Sequence, residues 1–178
     1  MVLIRCEHLA LVNEANVSRI LSVVVANAMD EQTINAQLRK NPNYLGSFAV
    51  DELDEIKVSF FPCFTVINLD RRNAGGSHWI ALAFYQNEVY ICDSLGGLVP
   101  NSETPQALAE YIYPILCKRK IFITKRMQDL NSDTCALYCI EFIRQMSLHN
   151  SICEFIRLFT NDYAKNDQLI KFLNKKDL

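Results

Sequence analysis

Residues 135 to 146 set the strictest limit on what this chain can fold into. Leu137, Tyr138, Cys139, Ile140, Phe142 and Ile143 leave Glu141, Arg144 and Gln145 as one narrow polar face. A helix apolar over most of its circumference has to be covered on nearly all sides, so other elements must wrap around it. The chain has the material to do so. It is 178 residues long, half hydrophobic and 21% charged, which suits one domain with a sizeable core and excludes a disordered or low-complexity chain. The apolar stretches at 20 to 29 and 79 to 85 fall well short of the roughly 18 residues needed to span a membrane. Residues 1 to 11 lack a basic start, a long apolar run and a small-residue cleavage site. The expectation is a soluble protein of an intracellular, reducing compartment, with no membrane partner.

Other elements follow from periodicity and punctuation. Val17, Ile20, Leu21, Val24, Val25 and Ala28 form an apolar stripe at helical spacing, with Asn13 as N-cap, and residues 31 to 39 form a second helix that stops ahead of Pro42. Residues 64 to 68, 79 to 85, 88 to 92 and 121 to 125 read as strands. The second and third are joined by the two-residue loop Gln86-Asn87, a hairpin signal. Thr104 and Pro105 open a helix carrying Leu108, Ile112 and Ile115, whose end Pro114 obscures. Residues 151 to 174 add one or two helices. Helices, then strands with an antiparallel hairpin, then helices predict an α+β fold with no internal domain boundary.

Net charge is −2, with a sequence pI near 5.9, so bulk electrostatics do not draw the chain to nucleic acid. The one basic cluster is Lys118, Arg119, Lys120, Lys125 and Arg126, and its ordinary reading is a solvated face beside a strand. Seven cysteines, Cys6, Cys63, Cys92, Cys117, Cys135, Cys139 and Cys153, are an odd number with no secretory signal, which disfavours a disulfide framework. Zinc needs closely paired ligands, and Cys135 with Cys139 is the sole close pair, so no metal site is expected. Most of these thiols are expected to be packed as small hydrophobes.

Three histidines exhaust the imidazole candidates: His8, His78 and His149. His78 stands out because it follows the small-residue loop Asn73-Ala74-Gly75-Gly76-Ser77 and directly precedes a strand, a place that fixes a ring yet leaves it reachable. Hairpin pairing of residues 79 to 85 with 88 to 92 makes Asp93 its cross-strand neighbour, at about 5 Å between Cβ atoms. A carboxylate there can fix the ring tautomer and favour the imidazolium. Cys135 is the candidate nucleophile. It ends the polar loop Gln128-Asp129-Leu130-Asn131-Ser132-Asp133-Thr134 and opens the buried helix, where the positive end of the macrodipole favours a thiolate and free N–H groups can receive an oxyanion. Cys139, one turn later, has neither advantage. The side-chain amide of Gln128 can join the Cys135 N–H as a second oxyanion donor. Thiol, imidazole, carboxylate and oxyanion donors are the equipment of acyl transfer.

In the order His78-Trp79, Asp93-Ser94-Leu95-Gly96, Gln128, Cys135, the chain resembles the cysteine proteases that include the adenovirus-type (adenain-like) enzymes and the SUMO- and ubiquitin-like-protein proteases. The papain order, Cys before His, is the reverse. The match is closer to the adenovirus type: Gly75-Gly76-Ser77-His78-Trp79 resembles its Gly-Gly-x-His-Trp, the interval from Gln128 to Cys135 is kept, and Tyr44-Leu45-Gly46-Ser47-Phe48 is similar to its early Tyr-Phe-Leu-Gly-Thr-Tyr. The resemblance covers about residues 42 to 146. Three positions depart from it: Ala136 replaces the Gly that usually follows the nucleophile, Asp93 stands where mammalian adenovirus enzymes tend to have Glu, and residues 1 to 40 have no counterpart.

The resemblance implies a cysteine protease fold, in which a small mixed or antiparallel central sheet is packed by the buried helix starting at the nucleophile, with flanking helices. It implies one domain over 1–178: a helical extension at 1–40, a catalytic core at 42–146 and C-terminal helices at 147–178. It also implies a Cys-His-Asp endopeptidase of a virus or virus-like element, with catalytic residues His78, Asp93, Gln128 and Cys135, maturing capsid and core precursors near Gly-containing sites in the host nucleus or the virion. No metal or small-molecule cofactor is implied. A viral activating peptide joined through Cys117 by a disulfide is implied, as is DNA held by Lys118, Arg119 and Lys120. Two other readings stand beside it. One is a deconjugating protease for ubiquitin-like proteins; the other is an inactive binding module on the same fold, for which Ala136 is the support.

Overall fold

Alternation along short strands builds the centre of the molecule. The computed structural model describes residues 29–74, 78–96, 106–116 and 119–175. Within them, α1 (Glu31–Leu38), β1 (Tyr44–Ala49), a 3-10 turn (Val50–Glu55), β2 (Cys63–Asn68), β3 (Trp79–Phe84), β4 (Glu88–Cys92), α2 (Gln106–Leu116), β5 (Lys120–Ile123), α3 (Cys135–His149), α4 (Ile152–Ile156) and α5 (Tyr163–Lys175) follow in order. The sheet runs β1-β2-β3-β4-β5, parallel at both outer pairs and antiparallel at the two inner ones. This is the α+β mixed sheet that the element order predicts. Phe64, Val66, Ala81, Ala83 and Cys92 face α3, while Cys63, Ile67, Ile80, Leu82, Phe84, Val89 and Ile91 face the 3-10 turn and Leu108 of α2. Period-two alternation thus buries both faces of the sheet.

Helix α3 is the predicted buried helix. From Cys135 to Met146 it is covered by the sheet on one side and by α1, α4 and α5 on the other. The small side chains Ala81 and Ala83 let it lie close to β3. The helix runs three residues further than predicted and ends at Asn150, which adopts the left-handed conformation (φ 51°) and returns its N–H to the Met146 carbonyl.

Several expectations need revision. β1 was not predicted as a strand; it pairs parallel with β2 across a register shift between Tyr44 and Ser47 and contains Gly46 at φ 126°, so it carries no clean period of two. Helix α2, whose end Pro114 left open, continues through it to Leu116. β5 starts and stops earlier than expected, at Lys120 and Ile123. The stretch from 151 to 174 is two helices, with α1 capped by Asp30, whose carboxylate accepts the Thr33 N–H at 2.8 Å. The predicted helix over 13 to 28 and the Thr104-Pro105 cap lie outside the described residues. Among those residues no helix is long and apolar enough to cross a membrane.

Ala83 is fully buried beneath α3. Enlarging it to Leu should overpack the contact and lower the stability by about 1–3 kcal/mol, read as a reduced urea midpoint at unchanged slope.

Candidate active site

The two ladders that end at His78 bring the histidine to Asp93. β2 and β3 stay in register up to Leu69, whose N–H donates to the His78 carbonyl at 2.9 Å. β3 and β4 pair Ala81 with Cys92, and the Gln86-Asn87 loop closes as expected, with the Tyr85 N–H on the Glu88 carbonyl at 2.8 Å. Continued one step, this register sets Asp93 level with Ile80, not with His78 as predicted. The two side chains therefore meet on a diagonal, and the ring is long enough to close it: His78 Nε2 lies 2.7 Å from Asp93 Oδ1.

Asp93 is itself fixed. The same Oδ1 accepts the Leu95 N–H at 3.0 Å, and the Thr124 hydroxyl bonds both the Asp93 N–H and its carbonyl at 2.9 Å. With Nε2 engaged by Asp93, Nδ1 is the ring nitrogen left for Cys135, whose thiol lines the same cavity and acts electrostatically on the ring. Burial by itself would lower the pKa of His78. The Asp93 hydrogen bond, with help from Cys135, outweighs it and raises the value from the ordinary 6.5 to about 9. The imidazolium is therefore the favoured form at neutral pH.

Cys135 is 7% exposed at the N-terminal end of α3, and its neighbour Ala136 is 1% exposed within the core against the sheet. Gln128, 1% exposed, is gripped at both ends of its amide: Oε1 accepts from Ser94 Oγ at 2.5 Å and Nε2 donates to the Ser132 carbonyl at 2.7 Å. The second Nε2 proton has no acceptor among the described residues, and Gln128 lines the same cavity as His78 and Cys135. That cavity, about 420 Å³, also reaches Trp79, Leu95, Leu130, Arg71 and Arg72.

Ser94 and Gly96 are the members that sequence reasoning passed over, though both sit in the Asp93-Ser94-Leu95-Gly96 segment. The Ser94 carbonyl accepts the N–H groups of Met127 and Gln128 at 2.8 and 3.0 Å, so one residue holds the Gln128 backbone and side chain together. Gly96 has φ 71°, and a Cβ there would lie 2.7 Å from the Arg126 nitrogen. Only glycine lets the turn lie this close to the segment after β5 that delivers Gln128.

The other predicted positions are not gathered here. Cys117 and Lys118 lie outside the described residues. Arg119 donates from Nε to the Gln86 carbonyl at 3.1 Å and lies over the Phe61 ring at 4.9 Å, while Lys120 is exposed at the start of β5. Arg126, from the same cluster, stacks over Tyr163 at 4.3 Å. Two of the cluster's guanidinium groups are thus engaged within the chain. Among the described residues no group of His, Cys, Asp and Glu is arranged to hold a metal ion.

The fold is α+β and like that of cysteine proteases. Among solved structures the chain is similar to the ASFV pS273R protease, with 17% identity over 80% of this chain and 62% of that one, at a TM-score of 0.52. It is similar as well to ChlaDub1 from Chlamydia trachomatis, with 12% identity over 86% of this chain and 92% of that one, at a TM-score of 0.53. The chain thus spans less than two thirds of the pS273R protease chain. No protein-family model and no curated protein matches the sequence.

The charged pair contributes stability fully below pH 6.5, and that contribution is lost as pH rises through about 9, because the folded-state pKa is the raised one. Asp93→Asn should therefore pull the His78 pKa down by more than one unit in an NMR titration of its ring. It should also narrow its stability deficit against the wild type as pH rises from 6.5 to 9. An unmoved His78 titration would contradict the assigned partner.

Proposed function

We propose that this protein is a cysteine peptidase in which Cys135 is the nucleophile, His78 its acid–base partner, Asp93 the orienting carboxylate, and Gln128 with the Cys135 N–H the oxyanion hole. The observation that carries this reading is the buried Asp93 Oδ1–His78 Nε2 bond, with the Cys135 thiol and the Gln128 amide on the same cavity as the ring. The Cys135 thiolate attacks the substrate carbonyl carbon and the C=O electron pair moves to oxygen, where the two donors meet it. Collapse breaks the C–N bond. The leaving amine takes the proton held at His78 Nδ1, and a water deprotonated by the same nitrogen hydrolyses the thioester.

Cys135 and His78 are each less than one tenth exposed, with half-buried Trp79 and Leu95 lining the same cavity. Backbone without bulky side chains reaches such a thiol most easily, which supports cleavage next to glycine. On this basis and on the resemblance of residues 42 to 146, we read the enzyme as an endopeptidase of a virus or virus-like element that processes structural precursors. A deconjugating activity on ubiquitin-like proteins is the second reading. It is favoured by the fold similarity that spans 92% of ChlaDub1.

Cys135→Ala should abolish cleavage of Gly-containing peptides with the fold intact, and Gln128→Ala should lower kcat by about 10²–10³-fold. Assaying short peptides against folded ubiquitin-like fusions separates the two substrate classes. Cleavage of the peptides supports the precursor-processing reading, whereas cleavage of the fusions alone supports deconjugation. Full activity of Cys135→Ala would overturn both.

A further inference from the structure

Thr134 occupies the N-cap of α3, where a threonine hydroxyl ordinarily accepts the N–H two or three positions on. Here it makes no capping bond. Its Oγ1 donates instead to Asp167 Oδ1 at 2.8 Å and, with that proton committed, accepts from Ser132 Oγ at 2.9 Å. The N–H groups of Leu137 and Tyr138 close on the Thr134 carbonyl at 2.9 and 3.2 Å. The N–H groups of Cys135 and Ala136 have no acceptor among the described residues.

Asp167 belongs to α5, in the C-terminal segment, and is 6% exposed. Its Oδ1 also lies 2.9 Å from the Tyr138 hydroxyl, and its Oδ2 accepts the Asp129 N–H at 3.2 Å. Neighbouring Asn166 adds a bond from Nδ2 to the Met127 carbonyl at 2.9 Å. One buried carboxylate thus ties down both ends of the loop from 128 to 135. Those ends carry the two oxyanion donors: Gln128, whose Nε2 rests on the Ser132 carbonyl, and the open N–H of Cys135.

We infer that Asp167 is a positioning residue for the oxyanion hole. It sets the spacing of the two donors and, by gripping the Thr134 side chain, holds that residue at φ −91°, ψ 3°, a backbone from which its hydroxyl cannot cap the helix, which keeps the first N–H groups of α3 free for the substrate oxygen. Without Asp167, Thr134 is free to take up the extended backbone of a capping residue, and its hydroxyl then occupies an N–H that the reaction needs. The kinetic consequence rests on the peptidase reading above; the amide-exchange consequence does not.

In the full-length wild type, the Cys135 and Ala136 amides should exchange with deuterium faster than those of Leu137 and Tyr138. Asp167→Ala should slow the Ala136 amide, and adding Thr134→Val, which removes the competing hydroxyl, should restore its rate. Kinetically, Asp167→Ala should lower kcat by about 10- to 100-fold with KM within about twofold, and the double variant should recover part of that loss. Asp167→Leu, which fills the site without an acceptor, reads the same outcomes where Asp167→Ala does not fold. A purely bracing role gives the opposite pattern: faster Ala136 exchange in the single variant and a double variant no better or worse. That result, or wild-type Cys135 and Ala136 amides as protected as Leu137 and Tyr138, overturns the assignment. If the wild type cleaves no peptide, the peptidase reading fails while the exchange pattern still decides the role of Asp167.

Discussion

The close seating of α3 on β3 is the contact on which the rest of the molecule depends. Because the helix is apolar nearly all round, it needs a sheet beneath it and helices above it, and Ala81 and Ala83 supply the flat place where it can approach. That packing fixes the axis of α3, and with it the position of Cys135 at the end of the axis. The ends of β3 and β4 arrive at the same place through the hairpin register. A thiol at a helix end and an imidazole at a strand end thus meet because two secondary structures are packed, with no flexible loop needed to bring them together. This is the rigid mounting that a reacting pair requires.

Burial of the pair sets a second constraint. An imidazolium enclosed this deeply is disfavoured unless a negative partner compensates, and Asp93 does so only because its own oxygens and backbone are held by Leu95 and Thr124. The chain of support therefore runs outward from Cys135 to His78, to Asp93 and then to β5-proximal Thr124. Gln128 depends on the same strand end from the other side, through Ser94. One short turn, 93 to 96, serves both halves of the site, and Gly96 allows that turn to press against Arg126.

The parts of this arrangement that were legible in the sequence are those encoded locally. The apolar circumference of α3, the hairpin around Gln86-Asn87 and the approach of His78 to Asp93 all follow from short-range patterns. β1 was hidden because its partner is distant in sequence, its pairing is parallel and interrupted, and Gly46 breaks its alternation. Pro114 left the end of α2 open because a proline removes a helix hydrogen bond, and α2 continues past it. The diagonal offset between His78 and Asp93 is countable from the two-residue loop, which pairs Tyr85 with Glu88 and so sets Asp93 opposite Ile80, and side-chain reach makes up the remainder. Asp167 and Asn166 carried no signal at all. In a helix with the polar composition of α5 they look like a solvated face, and their burial is decided by loop residues more than thirty positions away.

The uncapped start of α3 shows local and global preferences in conflict. Leaving a helix end without its threonine cap typically sacrifices about 1 kcal/mol, and the sequence could recover that by letting Thr134 turn inward. A carboxylate on another helix prevents this, and Ser132, Tyr138 and Asp129 join the same network so that the carboxylate is well satisfied. Local rules tend to be broken where function demands it. In a purely structural helix the simpler solution, a capped N-terminus with an ordinary solvated residue at 167, would serve as well. The conflict has a purpose only if the free N–H groups are reserved for something else, and on the peptidase reading proposed above that is the oxygen of a carbonyl attacked by Cys135.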